Sequence, residues 1–382
     1  MTHLLWCDQL IGADGEGAGW VEIDGERVAG VGHGAAPPHA QRLDGCSIVP
    51  GFVDIHVHGG GGHTMTTGDP DQVVAAARFH RTHGTTATMA SFVTAPLDEL
   101  AAASGRLAAL FDDPPDDLRR QFLGIHLEGP FLATGRCGAQ NPEHMVDPTP
   151  DAVATLIGAG GGHLRMVTIA PERPGSLDAV RQFVAAGVTV AIGHTDCTWA
   201  DAVAAIEAGA TVATHLGNAM PPVHHRQPGP FGACLGSAAV TCELIVDGHH
   251  LHPATVRLAH LTKGAGGIAL ITDAISAAGA EDGRYRLGDL DVDVAGGVAR
   301  LAHGDSLAGS TLTMDAALRN AVAAGLPLTD ASAAASTNPA GVIGRRDGGR
   351  IAPGSPADLV VLEADHTVRA VVAAGQVVSG SL

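Results

Sequence analysis

The chain carries a single lysine, Lys263, in 382 residues. Cationic side chains are scarce as a class: Lys plus Arg total 22 against 40 Asp plus Glu, a formal net charge of -18. That balance argues against a nucleic-acid groove or an anionic membrane surface as partner. Any phosphate it binds must be met by a few local groups. Cysteine is sparse too, with Cys7, Cys46, Cys137, Cys197, Cys234 and Cys242 scattered without CxxC spacing. Neither a disulfide framework nor a zinc knuckle is indicated, and the thiols are expected reduced and mostly buried. No apolar run approaches the ~20 residues that span a bilayer. The start "MTHLLWCDQL" lacks the basic segment and cleavage site of a secretory signal. The expectation is a soluble, cytoplasmic protein.

What the chain has is histidine, 21 in all, many beside Gly, Asp or Glu at segment ends. There a ligand or catalytic role is more plausible than packing inside a helix.

Short apolar or β-branched runs recur at 48–58, 85–93, 121–129, 164–172, 188–196, 211–218, 242–248 and 267–274. Between them lie Ala-rich stretches of helical period at 70–83, 97–111, 150–159, 176–186, 199–209 and 252–263, several opened by Asp, Ser or Thr. Eight strands alternating with helices predict an α/β fold, a (β/α)8 TIM barrel, and no GxGxxG follows the first strand to favour a dinucleotide-binding sheet. The ends break the alternation: 1–47 and 345–382 read as short strands with Gly turns. They predict a small β-sandwich domain built from both termini, with the barrel over 48–344 inserted between its halves. Residues 284–308 read as a hairpin excursion, with a helix from about 313.

Functional groups of such barrels sit where strands end at the carboxyl face. In "PGFVDIHVHG" alternation puts His56 and His58 on one face of strand one. Glu128 ends strand three, His194 strand five, His215 strand six and Asp273 strand eight. Four imidazoles and two carboxylates then share one mouth, a ligand set for zinc or a similar divalent ion with room for water. Any one of these histidines alone is better read as a satisfied core residue. Coincidence at five strand ends is not.

"PGFVDIHVHG", "HLEGPF", "IGHTDCT", "THLGNAM", "RQPG" with "VDGHH", and "LITDA", in this order, resemble the amidohydrolase superfamily, and within it the N-acetylglucosamine-6-phosphate deacetylases. The likeness runs nearly end to end. It implies that Glu128, His194 and His215 are primary metal ligands. His56 and His58 correspond to a pair that holds a second ion in two-metal members. The ions implied are divalent and two per subunit, with Zn2+ first and Fe2+, Mn2+ or Co2+ as alternatives. Some relatives bridge two ions with a carboxylated lysine on strand four. Here that strand, "LRMVTIAPE", has none, and Glu128, with two oxygens, can bridge instead across ions about 3.5–4 Å apart.

Asp273 matches the family's catalytic aspartate and doubles as a ligand. The implied reaction hydrolyses the acetamide of N-acetylglucosamine 6-phosphate to glucosamine 6-phosphate and acetate, in amino-sugar catabolism and cell-wall sugar recycling. Asn218 and Ala219 match phosphate-binding positions, and His250 matches a histidine that contacts substrate. Arg226 matches an arginine that, in related homodimers, reaches the phosphate in the neighbouring subunit's site. Where the family usually reads Gly-Ala-His in a substrate-binding loop, this chain reads Gly-Ala-Gln, putting Gln140 in that role without a titratable charge. Cys137, in the same loop, reads as an exposed, oxidisable thiol without catalytic duty.

Two other readings compete. A metal-dependent deaminase of the same superfamily would place a glutamate on strand five or six, where this chain has "GHTDCT" and "THLGNAM". A non-catalytic scaffold would have lost ligands, and all six positions are filled.

Overall fold

The computed structural model describes residues 2–345 and 347–382, Thr2 through its backbone alone. Its largest sheet is eight-stranded and parallel throughout: Phe52–Asp54, Thr85–Phe92, Phe122–Glu128, Leu164–Ile169, Thr189–Ile192, Val212–Ala213, Thr241–Ile245 and Ile268–Ile271. These are barrel strands one to eight, each hydrogen-bonded to its neighbours in chain order. Strands one and eight close the barrel just past their ends. Asp273 N–H donates to His56 O at 2.9 Å and His58 N–H to Ala274 O at 2.8 Å. Buried Asp54 accepts the Thr272 hydroxyl at 2.6 Å. The closure therefore brings strand one's histidines against strand eight's aspartate.

An α-helix follows each of the first seven strands, Pro70–Thr82, Leu97–Asp112, Pro150–Ala159, Ser176–Ala185, Trp199–Ala208, Gly229–Gly236 and Pro253–Lys263, and after an excursion strand eight is followed by three, Met314–Ala323, Leu328–Ala335 and Thr337–Val342. Local chemistry fixes several starts. Asp69 caps the Asp71 N–H at 2.9 Å, Thr198 and Asp201 form a reciprocal box, and Pro70, Pro150 and Pro253 occupy first turns. The Gly229–Gly236 helix, "GPFGACLG", has too little intrinsic propensity to be read from sequence. It forms by burying Ala233 and Cys234.

The termini form one seven-stranded sheet, in which Gln41–Pro50 pairs antiparallel with Leu359–Leu362. The sheet curls: its edge strand Arg27–His33 meets the segment before Leu359, with Val28 N–H to Ser355 O at 2.9 Å. It thereby encloses Leu5, Leu10, Val21, Ile23, Ile48, Leu359, Val361 and Val372 in a core of its own. The run 48–58, expected as one barrel strand, is divided. Ile48 and Val49 belong to the small sheet and Phe52–Asp54 to the barrel. Gly51 lies between, where a Cβ would come 2.2 Å from Thr86 Oγ1. The first barrel strand thus starts four residues after the expected position 48.

The excursion is a three-stranded antiparallel sheet, Gly283–Leu287, Leu290–Ala295 and Val298–Leu301. It packs Leu287, Val292 and Val294 on Val93 and Ile275 at the barrel mouth. No helix among the described residues is long and apolar enough to cross a membrane.

Candidate metal centre and active-site cavity

All six side chains read from the strand ends meet. Glu128 is the last residue of strand three; the other five lie two to four residues beyond their strands. His194, His215 and Asp273 have φ of +46°, +27° and +49°, a left-handed backbone that costs a non-glycine residue about 1–3 kcal/mol and persists where surroundings over-determine it. Each marks a local turn just past its strand, where its side chain joins the cluster.

They form two groups whose ligand atoms lie within 4.8 Å of one another, His56 with His58 and Asp273, and Glu128 with His194 and His215. Glu128 joins the groups. Its Oε1 is 3.0 Å from His194 Nε2 and 2.9 Å from His215 Nε2, and its Oε2 is 3.2 Å from His58 Nε2. Asp273 Oδ1 lies 3.2 Å from His58 Nε2 and 3.6 Å from His56 Nε2. Both carboxylates and all four imidazoles are buried.

The hydrogen bonds behind the rings fix what faces the centre. His58 Nδ1–H donates to Ser91 O at 3.1 Å, His194 Nδ1–H to Arg136 O at 2.9 Å and His56 Nδ1–H to Glu243 at 3.2 Å. In a neutral imidazole each Nε2 is then a lone pair. Yet the Nε2 atoms of His56 and His58 stand 3.2 Å apart, those of His194 and His215 3.1 Å, and all look onto carboxylate oxygens. Lone pairs converging in a dry pocket repel unless positive charge lies among them. A divalent cation supplies it: ligands ~2.0–2.1 Å from a tetrahedral zinc stand ~3.3 Å from one another. The residues present fit such an ion.

Comparison with known proteins agrees. The sequence pattern of the amidohydrolase family matches residues 47–378. The chain belongs to the amidohydrolase family. Among curated members, it is 37% identical over 99% of its length to the whole of an N-acetylgalactosamine-6-phosphate deacetylase from Escherichia coli O157:H7. It is 35% identical, over 89% of its length and 88% of the relative's, to an N-acetylglucosamine-6-phosphate deacetylase from Lysinibacillus sphaericus. Among solved structures, a mutant N-acetyl-D-glucosamine-6-phosphate deacetylase from Mycobacterium smegmatis, in complex with N-acetyl-D-glucosamine-6-phosphate, superposes with a TM-score of 0.95. It shares 46% identity and covers 99% of both chains.

The fields in this amidohydrolase's centre are strong. Burial disfavours the His58 imidazolium, but hydrogen bonds to Asp273 and Glu128 outweigh it and raise the pKa to about 9. His56 and His194 shift upward by the same contest between burial and the Glu128 charge. Burial favours neutral Glu128 and Asp273, but the positive character of His56 and its neighbours holds both below the usual carboxylate range. Every shift expresses a site short of positive charge.

The centre forms the floor of a cavity of about 330 Å³, whose lining includes His58, Glu128, Gln140, His194, His215, Asn218, Ala219, His250 and Asp273. Asn218 Nδ2 donates to His215 O at 3.1 Å, leaving its carbonyl end for a ligand. Ala219, at φ +49°, takes the Thr195 N–H on its own carbonyl at 3.1 Å. His250 is set by Asp247, whose Oδ2 accepts from Nδ1 at 2.7 Å. Gln140 also lines the cavity, but its amide spans Glu128 Oε2 at 2.5 Å and the Thr94 N–H at 2.6 Å. The amide expected to face the sugar thus also has a protein partner at each of its two ends.

Arg226 does not reach this cavity within its own chain. It is exposed on the 221–228 loop, Nη1 2.9 Å from His225 Nε2. Cys137 is half-buried at the cavity's loop, less open than expected. His144 holds Asp289 at 3.1 Å and His63 holds Gln72 at 3.1 Å, so neither serves the centre.

Several residues were missed. His126 is fully buried with its ring 4.5 Å from that of His56, held by Ser91 Oγ at 3.0 Å and Thr168 Oγ1 at 2.9 Å. Burial, reinforced by the His56 charge, pushes its pKa well down, so it packs as a neutral prop. Arg136 lines the cavity and pairs with Asp196 at 2.8 Å. Glu243 had a signal in sequence, a lone carboxylate within the apolar strand "TCELI".

Proposed function

We propose that this chain hydrolyses the acetamide of N-acetylglucosamine 6-phosphate, releasing acetate and glucosamine 6-phosphate. The observation that carries the reading is Glu128, whose two oxygens join two three-residue ligand groups on the floor of one cavity. In this reading Glu128, His194 and His215 hold one divalent cation, and His56, His58 and Asp273 a second. Zinc suits the imidazole and carboxylate donors.

A cation bound there polarises the amide oxygen and acidifies water. The chain does the rest. Asp273, ionised at the cavity floor, takes the proton of the attacking water and delivers it to the departing amine. Asn218, the Ala219 turn and His250 line the wall and hold the sugar phosphate. Arg226 serves a second copy of the chain: it stands on an exposed loop beside Val223, an apolar side chain 57% exposed, so a homodimer would bring its planar guanidinium to the partner's phosphate. Six free cysteines and a phosphorylated substrate that does not cross membranes fit work in the cytoplasm.

The galactosamine-named relative from Escherichia coli O157:H7 favours a second substrate, N-acetylgalactosamine 6-phosphate, at the same site. The deciding experiment measures acetate from both sugar phosphates and from unphosphorylated N-acetylglucosamine, with bound metal counted in the same preparation. Release that needs phosphate and stops when a chelator strips the metal is the expected result. Ammonia in place of acetate would establish a deaminase instead.

A further inference from the structure

Glu243 stands behind both halves of the centre. It is fully buried in barrel strand seven between Cys242 and Leu244, and the reaction outlined above does not use it. Its Oε2 accepts the His56 Nδ1–H at 3.2 Å and the His215 backbone N–H at 3.2 Å. The first contact belongs to the group with His58 and Asp273, the second to the group with Glu128 and His194.

We propose that Glu243 is a positioning residue that sets both cation half-sites together. It holds His56 in the Nδ1–H form, so that Nε2 presents a lone pair, and it pins the backbone turn from which His215 projects. The inference rests on reading the cluster as a cation site.

Three observations support it. A carboxylate without exposure is costly to bury, and among the described residues no Arg or Lys pairs with Glu243. Positive charge on the far side of His56 offsets that cost through the imidazole. Next, His215 has φ +27°, and its amide is held in that strained turn by the Glu243 carboxylate. Finally, Glu243 Oε1 and His215 Nδ1 are both buried without a partner. One is an acceptor lacking a donor. The other must carry a proton if Nε2 is to act as a ligand, so the two are complementary in type. Carboxylates behind metal-binding histidines typically change affinity ~10–100-fold when removed.

The bland reading is that Glu243 only satisfies a buried amide. The test separates the two with Glu243→Ala, which removes both contacts, and Glu243→Gln, which keeps shape and an acceptor oxygen but not the charge. Zinc release to a chelator, the absorption spectrum of the cobalt(II)-loaded chain and thermal unfolding of the stripped chain are measured. In Glu243→Ala every bound equivalent should leave at ~10–100-fold lower chelator concentration. Glu243→Gln should shift the same way by less and alter the cobalt spectrum, while its stripped form unfolds at the native temperature. Native-like zinc release and cobalt spectra in both variants would overturn the inference, as would a shift confined to one of two ions. A native chain that binds no divalent ion would overturn the cation reading itself and this inference with it.

Discussion

Gln140 ties Glu128 to the end of barrel strand two: its Nε2 donates to Glu128 Oε2 at 2.5 Å while its Oε1 accepts the Thr94 N–H at 2.6 Å. The amide thereby orients the carboxylate oxygen nearest His58. Gln140→Leu leaves the buried Thr94 N–H without that acceptor, a loss of about 1–3 kcal/mol. Urea unfolding of native and variant chains, both metal-free, measures it. Equal midpoints would mean the amide contributes nothing.

Among the described residues, Asp273 is the only carboxylate besides Glu128 that lines the cavity. Asp273→Asn keeps shape but cannot take a proton, so acetate release should fall ~10²–10⁴-fold, the usual worth of a general base. A variant that turns over at the native rate removes Asp273 from the chemistry.

Arg226→Ala should raise KM for the sugar phosphate ~10–100-fold, as expected for a charged hydrogen bond worth ~1.5–3 kcal/mol. Unphosphorylated N-acetylglucosamine should be used as before. Losses of equal size on both sugars would count against a phosphate contact. Analytical ultracentrifugation tests the homodimer on which the contact depends.

His80 gives a pH dependence away from the metal. It is fully buried and donates from Nε2 to Gly59 O at 2.8 Å, supporting the turn after His58. Burial, only partly offset by that bond, lowers its pKa to about 4. The unfolded imidazole titrates near ~6.5, so between there and about 4 the unfolded chain binds the extra proton. Stability from this group is full above that window and falls as pH drops through it, by about 3 kcal/mol in total. His80→Gln should lose this slope: the gap in unfolding free energy between variant and native should move in the variant's favour from pH 7 to pH 4. A gap constant with pH would refute the assignment.

The catalytic face was largely readable from residue type and position. His56 and His58 alternate along an extended chain, and Glu128, His194, His215 and Asp273 each close an apolar run. A polar group at the end of a buried parallel strand has nowhere to go but the barrel mouth. Gln140 was different: its resemblance to a sugar-contacting position says nothing of Thr94, 46 residues earlier in the chain. Glu243 was visible as a misfit in an apolar strand, but its partners His56 and His215 come from strands one and six. The Gly229–Gly236 helix was hidden because its sequence does not favour a helix until Ala233 and Cys234 are packed.

Alternation of apolar runs with helical stretches, and the chemistry at the ends of those runs, determined by sequence alone that this is a barrel with six candidate ligands. Those are local signals, carried by side-chain periodicity within a few residues. Tertiary structure alone decided which nitrogen each imidazole presents, that Asp273 groups with His56 and His58, and that Arg226 does not line its own chain's cavity. Those depend on hydrogen bonds and closures between residues far apart in the chain, which no local pattern encodes.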